Sequence, residues 1–314
     1  MTRLVRMRFL SPVHLGAPGS NVETSSHHLP ADSLFGALCN AWLRLYGESA
    51  LTQELLADGC PLRLTSAFPF AGEGEEGLFL PRPMLIHTPN AEDAENVREW
   101  RQCFLVSVPL WLQAARQQVP SRSAIEEDRA RLRRCLGVEA RPRVALDRAT
   151  SGSALYFCAL THFAKGCGLW FLVDAPDDLL PRLEGAIRLL GEEGVGGERS
   201  SGCGRFRPDF AECPTLAVQS GSSYCTLSPF HPAPPYETLP AKALAYSLIQ
   251  RKGWVASSDA PQARKKATWM FAEGSVFAEP LPGHLVDVTP RDDYPHRVFR
   301  YAHPWWVPIQ GGDQ

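Results

Sequence analysis

Between Gly194 and Phe206 the chain reads GVGGERSSGCGRF: five glycines, two arginines and two serines in a run that follows an amphipathic helical pattern and precedes a strand pattern. Glycine admits positive φ and lets another backbone come close, so such a run is built to wrap something. Arg199 and Arg205 offer positive forks, Ser200 and Ser201 offer hydroxyls, and successive N–H groups can form an anion-binding nest. Phosphate is the obvious target, and a glycine loop with only a structural job is the alternative. The order of elements excludes two familiar nucleotide loops. A dinucleotide-binding turn follows a strand and opens a helix, and a phosphate-binding P-loop needs a G-K-[ST] that is absent here.

The 314 residues leave room for about two domains at the usual ~100–200 residues each. A formal net charge of −2 argues against a free-standing nucleic-acid binder but leaves space for a local basic groove. Nine cysteines contain no C-x-x-C pair, which argues against a zinc ribbon, and their odd number argues against a fully paired disulfide framework. A reduced compartment is the simplest setting. The opening MTRLVRMRFL has no apolar signal core, and the longest apolar stretch, Cys103 to Ala115, contains Pro109 and is too short to span a bilayer. The expectation is a soluble cytoplasmic protein with no cofactor, metal or membrane association.

Along the chain, residues 3–9 alternate as a half-buried strand with arginines partly on the exposed face. A loop with the Ser25-Ser26-His27-His28 cluster leads to a helix over about Leu34–Tyr46, capped by Asp32 or Ser33 and ended by Gly47. Residues 48–142 read as an elaboration, with a short helical piece near Leu51–Ala57, an extended segment at 78–85, and helical patterns at about 91–117 and 123–136. The last is very charged and reads first as a solvated helix, with RNA contact as the alternative. Strands follow at 143–147 or 153–163 and at Gly168–Val173, then a helix over Leu179–Leu190, the glycine run, and a strand over Arg205–Phe210. Residues 1–212 thus give β-α-(insert)-β-β-α-β, the ferredoxin-like or RRM-like order. Beyond a Pro/Ser/Gly-rich boundary at 213–225, a smaller α+β domain over 213–314 has a strand over Tyr224–Pro229, a helix over Leu239–Ile249, a strand pair in Lys266–Phe277, and further strands at His284–Val288 and Arg297–Trp306.

A second candidate for phosphate is RPRVALDRATSGSALY, Arg141 to Tyr156, in which Arg143 and Arg148 flank Asp147 and Thr150, Ser151 and Ser153 follow. It is either a phosphate- and sugar-contacting strand edge, or an ion pair and a hairpin satisfied by its own hydroxyls. His14, His27 and His28 could supply a general base for an RNA 2′-hydroxyl, although adjacent histidines in extended chain point opposite ways and make a poor chelating pair. Helix capping accounts for Asp177-Asp178, and a polar turn for Asp292-Asp293. The aromatic C-terminus, Tyr294, Phe299, Tyr301, Trp305 and Trp306, either closes a core or stacks on bases.

Taken together, SPVHLG at 11–16, the SS-HHLPADSLFGALCNAW block at 25–42, LPRPM at 80–84, RVALDRATSGSALY at 143–156 and the glycine run resemble the RAMP superfamily, and within it the Cas-five-group family of Csm subunit four from type III-A CRISPR effector complexes. The similarity runs to about Phe210, and more weakly through 265–277. It implies two ferredoxin-like (RRM-like) domains, the first with a long mainly helical insertion, and a non-catalytic role. The implied partners are the crRNA, held by its 5′ repeat-derived tag, the large Cas-ten-type polymerase/cyclase subunit, and the repeating RAMP backbone subunit, in a hetero-oligomeric ribonucleoprotein. By the resemblance the RNA-facing residues are Gly196, Gly197, Arg199, Ser200, Ser201, Gly204 and Arg205, with Arg143, Arg148 and Thr150 in the arginine/threonine segment and His14, Ser25 and Ser26 facing the same groove. The rival within the superfamily is an endoribonuclease that processes repeat RNA.

Overall fold

The computed structural model describes residues 1–16, 22–57, 59–84, 94–147, 152–214, 216, 221–257 and 260–311. In chain order the first two thirds comprise β1 (Thr2–Phe9), α1 (Ala31–Ala50), β2 (Arg63–Leu64), β3 (Phe68–Ala71), β4 (Phe79–Pro81), α2 (Ala94–Arg101), β5 (Leu105–Ser107), α3 (Val108–Ala115), α4 (Arg122–Cys135), β6 (Leu136–Leu146), β7 (Ser153–Phe163), β8 (Cys167–Asp174), α5 (Leu180–Glu193) and β9 (Phe206–Ala211). The central sheet runs β9, β1, β8, β2, with β3 also on β8, and every pairing is antiparallel.

Strand alternation sends side chains to both faces of this sheet, and both faces are covered. On one, Val5, Met7, Phe171 and Val173 meet Phe35, Leu38 and Trp42 of α1 and Leu183, Ile187 and Leu190 of α5. On the other, Leu4, Phe68, Trp170 and Leu172 meet Trp111 of α3, Ile125 of α4 and apolar residues from the C-terminal third. The β1 arginines on that second face are therefore paired, Arg6 buried and Arg8 partly exposed. Arg6 donates to the Glu73 carbonyl at 2.8 Å, and Arg8 grips the Glu73 carboxylate at 2.9 and 2.7 Å and reaches Asp209 at 3.0 Å. Both guanidinium groups lie over the Phe70 ring, at 5.8 and 5.6 Å.

The segment read as an elaboration contains two strands of the central sheet, β2 and β3. The expected helix over 91–117 is two helices with β5 between them. Pro109 lacks an N–H and is tolerated only in a first turn, so α3 restarts there, and the residues before it pair with β4 instead. The two strand runs offered as alternatives, at 143–147 and 153–163, both form. They are β6 and β7, paired from Leu136↔Phe163 to Leu146↔Ser153 as one long hairpin.

The C-terminal third comprises β10 (Ser223–Thr226), α6 (Leu239–Lys242), β11 (Ala243–Ala245), β12 (Leu248–Arg251), β13 (Thr268–Phe271), β14 (Val276–Phe277), β15 (His284–Asp287), β16 (Phe299–Ala302) and β17 (Trp306–Ile309). The expected helix over 239–249 stops after one turn, because Ala243–Ala245 pairs with β14 and Leu248–Arg251 with β13. Tertiary pairing overrides local helical propensity there.

This third is fused to the rest through α1. The Asp32 carboxylate, fully buried, accepts from Arg251 Nε and Nη2 at 3.0 and 2.8 Å and from Arg300 Nη1. Burial alone would raise its pKa, but the two arginines hold it below the ordinary value. Asp32 is thus an ion-pair centre and not the helix cap. The α1 N-terminus begins one residue earlier, and its Ala31 N–H donates to Ser66 Oγ at 2.9 Å. Gly47, at φ 83°, kinks α1 instead of ending it. Among the described residues no helix is long and apolar enough to cross a membrane.

Candidate nucleic-acid interface

The glycine run folds back on the exit of β1. Val195 N–H bonds the Gly204 carbonyl at 3.0 Å, Gly204 N–H bonds Pro12 at 2.8 Å, and Gly197 N–H bonds His14 at 2.9 Å. The glycines are required by space as well as by angle. A Cβ at Gly204 (φ 79°) would lie 2.0 Å from the Val195 carbonyl oxygen, and one at Gly196 (φ 80°) 2.2 Å from that of His14. Between these stitches Glu198 takes a left-handed conformation, φ 58°, and Arg199–Ser201 form a single tight turn closed by Gly202 N–H to the Arg199 carbonyl at 2.9 Å.

That turn presents Arg199, Ser200 and Ser201 to solvent. The Arg199 guanidinium makes no hydrogen bond or ion pair with the described residues. Arg205 differs. Its Nε donates to the Glu192 carbonyl at 3.2 Å and its Nη2 meets the Glu192 carboxylate at 2.9 Å, so it staples the loop to the end of α5.

The hairpin of β6 and β7 roots beside the loop. His14 is buried, and its Nδ1 lies 2.8 Å from the Ala159 carbonyl of β7. Ser25 Oγ accepts from Leu15 N–H at 3.0 Å and pairs with Thr161 Oγ1 at 2.8 Å, while the Ser26 carbonyl takes the Thr161 hydroxyl at 3.2 Å. Ser26 Oγ sits 3.1 Å from His28 Nδ1. His14, Ser25 and Ser26 therefore weld three chain-distant segments together. The Cys158 thiol lies between the hairpin and the loop: burial raises its pKa, Glu198 raises it further, and Arg143 of β6 pulls it back. In register Arg143 lies opposite Tyr156, which packs on the cluster of Cys158, Leu160 and Cys203, so Arg143 stands on the hairpin face turned to the glycine run. Arg148 and Thr150 lie outside the described residues.

Eleven paired positions at ~3.4 Å per residue make the hairpin about 34 Å long. Its root is buried at Cys158–Leu160, but Val144, Leu146 and Leu155 near its tip are 58, 74 and 65% exposed. Sequence reasoning missed this rod because Pro142 interrupts the strand signal; Pro142 is tolerated because, among the described residues, β6 is an edge strand paired with β7 alone. The other candidates resolve simply. His28 packs beside the buried carboxylate of Glu273, at 3.5 Å, and the His27 pKa is lowered by burial and by His28. Tyr294 and Tyr301 close core, Tyr301 donating to the Leu62 carbonyl at 3.4 Å. Among the described residues no cluster of three or more His, Cys, Asp or Glu could hold a metal ion.

Two family models match in succession: the RAMP superfamily over residues 6–207 and the CRISPR Csm4 C-terminal domain over 219–309. A CRISPR system Cms protein Csm4 from Mycobacterium tuberculosis is 30% identical, with 98% of each chain covered. One from Thermococcus onnurineus is 30% identical over 78% of this chain and 80% of its own. In fold the chain is similar to a chain of a Csm3-Csm4 subcomplex in the type III-A CRISPR-Cas interference complex (TM-score 0.67, 16% identity, 99% of this chain and 100% of the other). It is similar also to a chain of a Csm1-Csm4 cassette in complex with cA4 (TM-score 0.66, 19% identity, 100% and 99%). On the length of the superfamily match and the full-length identity to curated relatives, the chain belongs to the RAMP superfamily and, within it, to the Csm4 family.

Proposed function

We propose that this Csm4-family chain holds the 5′ repeat-derived tag of a crRNA in a type III-A interference complex, between a Csm1-type large subunit and Csm3-type backbone subunits, and performs no chemistry of its own. The observation that carries the reading is Arg199, a cation without a partner among the described residues, on an exposed turn that flanking glycine contacts hold in place. A preorganised cation and hydroxyls of this kind suit phosphate. Arg143 faces the same surface, and Arg148 and Thr150 extend it in sequence; Gly196, Gly197 and Gly204 set its shape, while His14, Ser25 and Ser26 brace it from behind.

We read residues 1–212 as a ferredoxin-like unit and 213–314 as a second one whose helical part is reduced to α6. In an RRM, bases stack on the open sheet face. Here both faces are buried, so the reading assigns RNA to the loops and the hairpin. The apolar hairpin tip suits a wedge between stacked bases. The buried His14 ring, held by Ala159, favours a bracing role over that of a general base. Nine unpaired cysteines agree with a cytoplasmic location.

The test is a reconstituted complex carrying photoreactive thiouridines in the tag. Crosslinks to peptides within 194–206 and 136–163 are expected. RNA retained without crosslinks to either segment would refute the tag-binding surface. Metal-independent cleavage of repeat RNA that is lost in His14→Ala would refute the non-catalytic reading.

A further inference from the structure

β12 and β13 form a two-stranded ribbon, paired from Leu248↔Phe271 to Arg251↔Thr268 and continued by a Trp254↔Arg264 bridge and a Val255 N–H bond to Ala263 at 2.8 Å. Period-2 alternation gives the ribbon two unlike faces. Arg251, Val255 and Met270 point inward and are buried. The opposite face, with Tyr246 leading into it, carries Tyr246 at 53%, Leu248 at 49%, Trp254 at 52% and Trp269 at 57% exposure. Scattered exposed apolar residues need no explanation, but two tryptophans, a tyrosine and a leucine on one side of one ribbon mark an interaction site.

From this juxtaposition we infer that the outer face of the β12–β13 ribbon is the seat of the Csm1-type large subunit, through an apolar surface rimmed by carboxylates. The inference rests on the assembly proposed above. Two observations select a protein over RNA. Arg264 lies over the Trp254 ring at 5.0 Å, so one face of that ring is closed to a base. Leu248 gives the patch an aliphatic part that stacking does not use. Tryptophan, tyrosine and arginine are also the side chains that dominate protein interfaces.

Charge and position specify which protein. Lys252 and Arg264 border the patch, and neither has a carboxylate partner among the described residues, so the complementary rim is acidic. The ribbon lies within 219–309, the part matched by the Csm4-specific domain, and outside 6–207, which is matched by the RAMP superfamily at large. A backbone subunit that is itself of the RAMP type is expected to dock on the part that RAMP proteins share. The contact with the large subunit belongs on the part peculiar to Csm4.

The test uses the full complex. Trp269→Ala and Leu248→Glu, both exposed positions, are each expected to lower affinity for the large subunit about tenfold or more, with crRNA and the Csm3-type subunit retained. Unchanged melting of the free variants keeps misfolding apart from a lost contact. A photoreactive benzoylphenylalanine at position 269 is expected to crosslink to the large subunit. Crosslinking to RNA or to the Csm3-type subunit, or no crosslink in an intact complex, overturns the inference. A complex that lacks crRNA altogether would instead count against the function proposed above.

Discussion

Arg199 and Arg205 sit six residues apart in one loop, yet the structure gives them opposite expectations. A cation that neutralises one phosphate of a single strand contributes about 0.7 to the slope of log affinity against log salt. Arg199 has no partner among the described residues, so Arg199→Ala should remove one such contact and lower the slope by ~0.7. Over the fourfold rise from about 50 to about 200 mM salt, that is about 2.5-fold less weakening than the native protein shows. Arg205 is already matched by Glu192 at 2.9 Å. An exposed pair of this kind is worth about 0–1 kcal/mol, so Arg205→Ala should cost little stability and leave the slope unchanged. Filter binding of labelled tag RNA to the complex at four or five salt concentrations measures both. Equal slope changes in the two variants, or none in Arg199→Ala, would refute the assignment of Arg199 to phosphate.

Two further expectations concern stability. Asp32→Asn leaves the buried Arg251 and Arg300 without their counter-charge and should cost about 3–5 kcal/mol in denaturant unfolding. Because the folded pKa of Asp32 lies below its ordinary 3.8, its contribution is complete above that pH and fades as pH falls through the folded value, so native protein and variant should converge only in acid. Gly202→Ala and Gly204→Ala separate angle from space. Both have positive φ, about 1–2 kcal/mol for an alanine. Only Gly204 has a carbonyl where the Cβ must go, so Gly204→Ala should melt lower and lose tag RNA while Gly202→Ala keeps it; equal effects would contradict the packing described.

The glycine loop was legible because its constraint is local: positive φ and close approach leave glycine as the fitting residue, and the run announces both. Strands β1, β8 and β9 and helices α1 and α5 were legible from hydrophobic period, whereas β2 and β3 lie in the segment read as an elaboration and the run at 153–163 pairs with β6 outside the central sheet. Asp32 was not, since a carboxylate before an apolar run reads as a cap, and its partners lie 219 and 268 residues away. Arg205 looked like Arg199 because nothing in a loop sequence reveals that Glu192, a turn back on α5, will take its charge. The helix expected over 239–249 failed for the same reason: its residues suit a helix until β13 and β14 offer partners.

Tyr301 shows what this architecture asks of the chain during synthesis. Its hydroxyl accepts from the Leu64 N–H at 2.8 Å, its neighbour Arg300 completes the Asp32 cluster, and Val307 and Ile309 close the second core. The sheet strands β1 to β9 are translated long before these residues exist. At roughly 5–20 residues per second, the ~100 residues beyond Ala211 take about 5–20 s to make. For that interval the face that carries Leu4, Phe68 and Trp170 has only α3 and α4 over it and lacks Cys225, Val276, Val307 and Ile309, and Asp32 has no counter-charge. The ribosome-bound chain is an aggregation hazard until its last strand arrives, so early engagement by a chaperone or a subunit already made would raise the yield of folded protein.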